Sequence, residues 1–397
     1  MQIITPAKRT ANITYAIRDV VIKAKELEKK GSKILSLNIG DPMKFDFSVP
    51  QHMAKAVFES IKNGVAQAYA DSHGVDEARD AIAKDMSKSH ASLTKEDIVM
   101  TNGSSEAINL AVGALLNPGE NILVPCPSYP LYNASLTYHE GMINFYYLDE
   151  DNGFQPHIED MKRKINDKTR AIVLIDPNNP TGALCSKKTV QEVINLAGQH
   201  NLVIFADEAY SKILFDGKEH YPAASLAKDV PVLTLGSLSK NYLCPGWRVG
   251  WIAFTGNGIE EYKKAVFQLA RARLCAVSPQ QYAVKAALEG SQTHIKVMNE
   301  KLQQRRDITF RRLNEIKGIS CVKPQGAFYA FPQIHAKISS DKDFVYQFLE
   351  EEKVLTVFGS GFGQKPGTQH FRIVFLPDEK TLAEAYDRLE RFMKRNY

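Results

Sequence analysis

Between residues 98 and 255 short apolar runs alternate with stretches whose apolar positions recur at helical spacing. The runs 98–100, 121–125, 143–148, 171–175, 202–206, 232–235 and 249–254 are short and mainly apolar without a helical spacing, so each reads as a strand of a sheet covered on both faces. Seven such strands with helices between most of them predict an α/β fold built on a mostly parallel seven-stranded sheet flanked by helices. Ligands of such sheets gather where strand ends meet the following loops.

On either side the pattern changes. Residues 19–30 have helical spacing closed by Gly31, a short strand at 34–38 runs into Ile39-Gly-Asp-Pro42, and helices are expected at 51–61 and from the polar segment 68–74 through Ala83. After Ser278-Pro279 one long helical pattern continues to about Leu313. Beyond Ile319 the expected strands are 321–323, 327–331, 354–357 and 371–375, with helices at 343–350 and from Glu379. This predicts a large domain at 46–288 and a smaller α+β domain made of 1–45 and 289–397. No internal repeat or low-complexity tract interrupts the chain.

Composition narrows the class. The 397 residues are 44% hydrophobic and 24% charged, ordinary values for a globular protein large enough for two domains. A net charge of +5 without any basic run gives no reason to expect nucleic acid as a partner. Five scattered cysteines without a Cys-x-x-Cys pair point to a reducing compartment and away from disulfides or structural zinc, and no metal site is expected. The first residues lack an apolar signal core, and no apolar run approaches the roughly 20 residues of a membrane helix. A cytoplasmic chain without membrane contact is therefore expected.

The candidate chemistry centres on Ser237-Leu-Ser-Lys-Asn-Tyr-Leu-Cys-Pro-Gly-Trp-Arg248, directly after an apolar strand. Burial and the positive charge of Arg248 would lower the pKa of Lys240, freeing the lone pair that attacks a carbonyl, and Arg248 could also hold a phosphate. Standing alone, the two would read as a surface lysine and an ion-pair arginine. Thr101-Asn-Gly-Ser-Ser-Glu-Ala107 opens a helix whose start suits an anion and, equally, plain capping by Ser104 or Ser105. In Asp176-Pro-Asn-Asn-Pro-Thr-Gly182 prolines stiffen a loop that can aim Asn179 at a ligand or simply turn. Asp207, ending an apolar strand in Asp-Glu-Ala-Tyr210, needs a partner such as a protonated ring nitrogen unless it caps a helix. Gly40 offers backbone to a carboxylate, or is an ordinary turn.

Taken in order, Tyr69, Gly103-Ser-Ser-Glu106, Tyr129, Asn178-Asn-Pro-Thr-Gly182, Asp207-x-x-Tyr210, Ser237-x-Ser-Lys240, Gly246-Trp-Arg248 and Phe371-Arg-Ile373 resemble the fold type I pyridoxal-phosphate aminotransferases of classes I and II. The resemblance covers essentially the whole chain. It implies pyridoxal 5′-phosphate as cofactor and amino acids and 2-oxo acids as substrates. Lys240 then corresponds to the lysine that links to the cofactor and shuttles the proton, Asp207 to the partner of the pyridinium nitrogen, and Tyr210 and Asn179 to the pair on its 3′-oxygen. Ser104, Ser105, Ser237, Ser239 and Arg248 fall where the phosphate is gripped, and Tyr129 where an aromatic ring stacks on the pyridine. Arg372 corresponds to the clamp on the substrate α-carboxylate, helped by backbone near Gly40. Tyr69 corresponds to a tyrosine that crosses a two-fold interface to the neighbour's phosphate, which implies a homodimer with shared sites.

Within the class, Leu37-Asn-Ile-Gly-Asp-Pro42, Arg273-Leu-Cys-Ala-Val-Ser-Pro279, Cys321-Val-Lys-Pro-Gln-Gly-Ala-Phe-Tyr329 and His370-Phe-Arg-Ile-Val374 resemble the alanine aminotransferase subgroup. The expected reaction is alanine plus 2-oxoglutarate to pyruvate plus glutamate. The alternatives are an aspartate or broad-specificity aminotransferase, or a carbon-sulfur lyase on the same scaffold. A transcription regulator is not expected, because the scaffold begins almost at Met1. Arg18, near Tyr15 in a segment expected to cover the entrance, is the candidate for the distal carboxylate of glutamate, with Arg273 as runner-up.

Overall fold

The computed structural model describes residues 4–11, 13, 16–88 and 93–397. Strand β1 (Leu35–Ser36) precedes the strands of one central sheet: β2 (Ile98–Thr101), β3 (Asn121–Cys126), β4 (Met142–Asp149), β5 (Gln155–Pro156), β6 (Thr169–Ile175), β7 (Val203–Asp207), β8 (Val232–Ser237) and β9 (Gly250–Thr255). Across the sheet they run in the order β2-β9-β8-β7-β6-β3-β4-β5. Neighbours from β8 to β4 are parallel, whereas β9 is antiparallel to both β8 and β2. All seven expected strands are present. The eighth, β5, is a two-residue antiparallel addition to the edge of β4, too short to leave a hydrophobic pattern.

Alternate positions on these strands feed opposite faces, as the pleat requires. Val173 and Phe205 join a core layer with Ala107, Ile108 and Ala270 of the helices Ser104–Leu115 and Glu260–Ala272. Ile172, Leu174, Ile204 and Ala206 face the other way, onto Val190, Val193 and Ala197 of the helix Lys187–Gln199. Each fully buried aliphatic side chain of this kind contributes about 1.5–3 kcal/mol. The two-sided cover explains why the strands read as continuous apolar runs.

The C-terminal part holds β10 (Ile319–Ser320), β11 (Tyr329–Ala330), β12 (Gln333–Ile334), β13 (Val354–Leu355), β14 (Val357–Phe358) and β15 (Phe371–Val374). Strands β11, β15 and β14 form an antiparallel sheet, β10 pairs β12, and β13 takes β1 as a parallel partner. Leu37 of the N-terminal segment accepts from Val374 N and donates to Leu355 O, at 2.8 Å each.

Two expectations fail here. The single long helical pattern is broken into a 3-10 turn Pro279–Tyr282, a helix Ala283–Glu289 and a helix Thr293–Glu315. Gly290 leaves the helix with ψ −172, and a Cβ there would meet Ala286 O at 2.2 Å. The strand expected at 321–323 sits at Ile319–Ser320, because Cys321 N donates to the side chain of Asn314 at 3.1 Å instead of joining a ladder. Among the described residues no helix is long and apolar enough to cross a membrane.

Candidate active site

A cavity of about 670 Å³ opens where the ends of β7 and β8 face β15 and the segment around Gly40. Arg18, Gly40, Ser104, Ser105, Tyr129, Asn179, Asp207, Tyr210, Ser237, Ser239, Lys240, Arg248 and Arg372 all line it. Residues scattered over the chain by their motifs are thus brought onto one void. Tyr69 does not line it and is 81% exposed. Tyr15 lies outside the described residues. Arg273, the runner-up cation, is taken up elsewhere: it donates to Met100 O at 3.0 Å and Ser72 O at 3.2 Å and pairs with Glu106 at 3.4 Å. A larger groove of about 770 Å³ beside β5 carries Lys187, Lys188, Glu159 and Glu192, charges of both signs, and receives none of the motif residues.

Lys240 follows β8 and donates its Nζ proton to Gly40 O at 2.6 Å. A Cβ at position 40 would stand 2.2 Å from Tyr329 Oη, so any larger residue there requires the tyrosine to shift. Burial lowers the lysine pKa to about 8, Arg248 and Arg372 add to the effect, and Asp41 opposes it. Roughly one amine in ten is then neutral near pH 7, several-hundredfold more than for a solvated lysine. The position suits a nucleophilic amine.

Asp207 ends β7 fully inside the protein, and no helix begins after it, so the capping alternative falls. Burial raises its pKa to about 6, against hydrogen bonds from Tyr132 Oη at 3.0 Å and Ala209 N at 3.4 Å. A carboxylate in this position favours a cationic N–H in the cavity.

The helix Ser104–Leu115 starts after Gly103, which has φ 78, and no side chain caps it. Ser104 and Ser105 are its first two residues and leave its amides uncapped, contrary to the plain capping alternative. Arg248 adopts the left-handed conformation at φ 55 and lies across this turn, donating to Pro245 O at 2.9 Å and Asn102 O at 3.3 Å. The approach is close: a Cβ on Gly103 would stand 2.3 Å from Arg248 Nη2, and one on Gly250 would stand 2.6 Å from the Gly103 carbonyl carbon. Ser237 Oγ accepts from Ser239 N at 3.1 Å beside them. Uncapped helix amides, hydroxyls and a guanidinium in a cradle kept open by glycines fit a phosphate.

Arg372, on β15, is buried between the rings of Tyr329 and Phe362, 4.7 and 4.6 Å from its guanidinium carbon. It donates to Asn38 O and, at 3.0 Å, to Asn179 Oδ1. Asn179 is presented by a loop in which Asn178 Oδ1 accepts from Thr181 Oγ1 at 2.8 Å and Gly182 has φ 71. With its carbonyl turned to Arg372, Asn179 keeps its amide NH2 for a ligand. Tyr210 and Tyr329 share a hydrogen bond of 2.7 Å between their hydroxyls. Arg18, exposed on the helix Ala16–Lys29, supplies a cation at the rim.

Sequence reasoning missed Tyr132 and Tyr329. Tyr132 stands one helical turn beyond Tyr129, a spacing that places both on one face and could have flagged it. Tyr329 belongs to the stretch singled out for subgroup resemblance alone, and nothing local ties it to Tyr210, 119 residues away.

The family model for aminotransferase class I and II matches residues 32–389. The chain is 43% identical to the glutamate-pyruvate aminotransferase AlaA of Haemophilus influenzae over 99% of both chains. It is 41% identical to its Escherichia coli counterpart over 99% of this chain and 98% of that protein. The solved alanine aminotransferase of Pyrococcus furiosus superposes with a TM-score of 0.96 at 46% identity, covering 99% of this chain and 100% of that one.

Proposed function

The chain belongs to the class I and II aminotransferases, and from that premise we propose that it exchanges the amino group between alanine and 2-oxoglutarate, giving pyruvate and glutamate. It has the fold type I architecture and is a pyridoxal-phosphate enzyme. When bound, pyridoxal phosphate supplies an aldehyde carbon that captures amines covalently and a ring that takes up electron density from the substrate α-carbon. The open cradle around Gly103 and the buried Asp207 are the features into which its phosphate and ring nitrogen fit.

The observation that carries the reading is Lys240, a half-buried amine on the cavity wall whose pKa is lowered by desolvation and by the charges of Arg248 and Arg372. With the cofactor bound, Lys240 would hold its aldehyde carbon through the amine and, when freed from it, would serve as the base that moves the proton at the substrate α-carbon. Asp207 keeps the ring nitrogen protonated. Ser104, Ser105, Ser237, Ser239 and Arg248 hold the phosphate, Tyr129 covers the ring, and Tyr210 and Asn179 donate to its 3′-oxygen. Arg372, with backbone at Gly40, holds the substrate carboxylate bidentately. Arg18 faces the second carboxylate of glutamate.

Other parts of the proposal rest on the surface and the packing. Phe58, Ile61, Val65 and Val277 are half-exposed or more in the segments around Tyr69, which supports a homodimer in which Tyr69 reaches the neighbour's phosphate. The pairing of β1 with β13 supports counting residues 1–45 with 289–397 as a small domain beside 46–288. Five free cysteines suit a reducing cytoplasm.

Single amino acids added to the cofactor-loaded protein test the reading through the loss of its visible absorption. Alanine and glutamate should each discharge it, and pyruvate or 2-oxoglutarate should restore it. Reaction with aspartate or an aromatic amino acid while alanine and glutamate stay inert would overturn the alanine assignment.

A further inference from the structure

We infer that Tyr132 is a positioning residue for the reaction, its buried hydroxyl fixing Asp207 as the charged acceptor that faces the cofactor ring. The inference rests on the reading of Asp207 as the partner of the ring nitrogen. Tyr132 lies on the helix Pro130–Tyr138 and is wholly buried in the core layer that contains Val173 and Phe205. Its ring would serve that core equally well as phenylalanine. The hydroxyl is what needs an explanation, since an unpartnered phenol in such a place is costly.

Among the described residues the hydroxyl has one hydrogen-bond partner, Asp207 Oδ2, at 3.0 Å across 75 residues of chain. Tyr132 does not line the cavity, whereas Asp207 does, so the phenol approaches the carboxylate from the protein side. The other bond to this carboxylate, from Ala209 N, is long at 3.4 Å. A phenol O–H given to a carboxylate favours its ionised form and turns its remaining lone pairs toward the open side. Burial pushes the Tyr132 phenol well above its ordinary value of 10.0, so it stays a neutral donor and never competes with Asp207 for the proton.

The test measures the dissociation constant and visible absorption of bound pyridoxal phosphate in native protein, Tyr132→Phe, Asp207→Asn and the double variant. We expect Tyr132→Phe to raise the dissociation constant about tenfold, the effect of losing one hydrogen bond to a charged group. Its visible band should shift in the direction of Asp207→Asn. In the Asp207→Asn background the same change should do nothing, because Tyr132 acts through that carboxylate. A native-like constant and band in Tyr132→Phe overturns the inference while leaving the role of Asp207 intact. A loss of equal size in both backgrounds, or a loss of folding seen by circular dichroism, assigns the hydroxyl to the core and overturns it too. If Asp207→Asn itself binds the cofactor as the native protein does, the ring-nitrogen reading falls, and the inference with it.

Discussion

At the scale of single residues the site is a set of groups held against their solution preferences. Lys240 is the clearest case, with its pKa lowered from 10.5 to about 8. Below the lower value the folded and unfolded chains both carry the proton, and the burial penalty is complete. Between the two values the unfolded chain binds more protons, so stability rises with pH, and above the higher value the penalty is gone. Lys240→Met should therefore stabilise the cofactor-free protein near pH 7 by about 3 kcal/mol, and the gain should fade as pH climbs through that window. Denaturant melts of both proteins across the alkaline range check it. Arg18 makes a second case: Arg18→Ala should lower kcat/KM for glutamate about tenfold and leave alanine within about twofold, and an equal fall for both would remove Arg18 from substrate recognition. Lys240, Asp207 and Arg372 were legible in the sequence because each stands in a local pattern at a strand end or on a strand. Tyr132 and Tyr329 were not, since each acts on a partner 75 or 119 residues distant and carries no motif of its own.

At the scale of elements, burial decided what could be read. Strands covered on both faces announce themselves as apolar runs, and every such run became a strand of the central sheet. Pieces of two residues such as β5 and β12 carry too few side chains for any pattern, and their place follows from the neighbours they pair with. The break at Gly290 was hidden for a related reason: helical spacing persists on both sides of it, and only the backbone of this one glycine, at ψ −172, leaves the helix. The junction of β2 with the helix Ser104–Leu115 gives an element-level expectation. Gly103→Ala would put a methyl 2.3 Å from Arg248 Nη2 at a φ of 78. The left-handed backbone costs roughly 1–2 kcal/mol and the displaced guanidinium adds to it. Cofactor affinity should fall at least tenfold, about 1.4 kcal/mol, with the cofactor-free fold retained. Equilibrium dialysis and circular dichroism separate the two effects.

At the scale of the whole molecule, the proposed role of Tyr69 would make the active site a property of the pair. Co-expressed Tyr69→Ala and Lys240→Ala chains should form heterodimers with one doubly damaged and one intact site, restoring about half of the native activity per heterodimer. If Tyr69 serves its own chain, every site carries a lesion and no activity returns. The reversed strand β9 has its own reach. Gly250 sits in register with Thr101 on one side and Ser237 on the other, so one strand sets both halves of the cradle proposed for the phosphate at the same height. The cradle cannot exist until β9 has found β2, about 150 residues back along the chain. Both of the chain's tryptophans, Trp247 and Trp251, lie at this junction. During refolding their fluorescence should therefore change before or together with the uptake of pyridoxal phosphate and never after it, so that the cofactor acts as a proofreader of the finished sheet and not as a template for it.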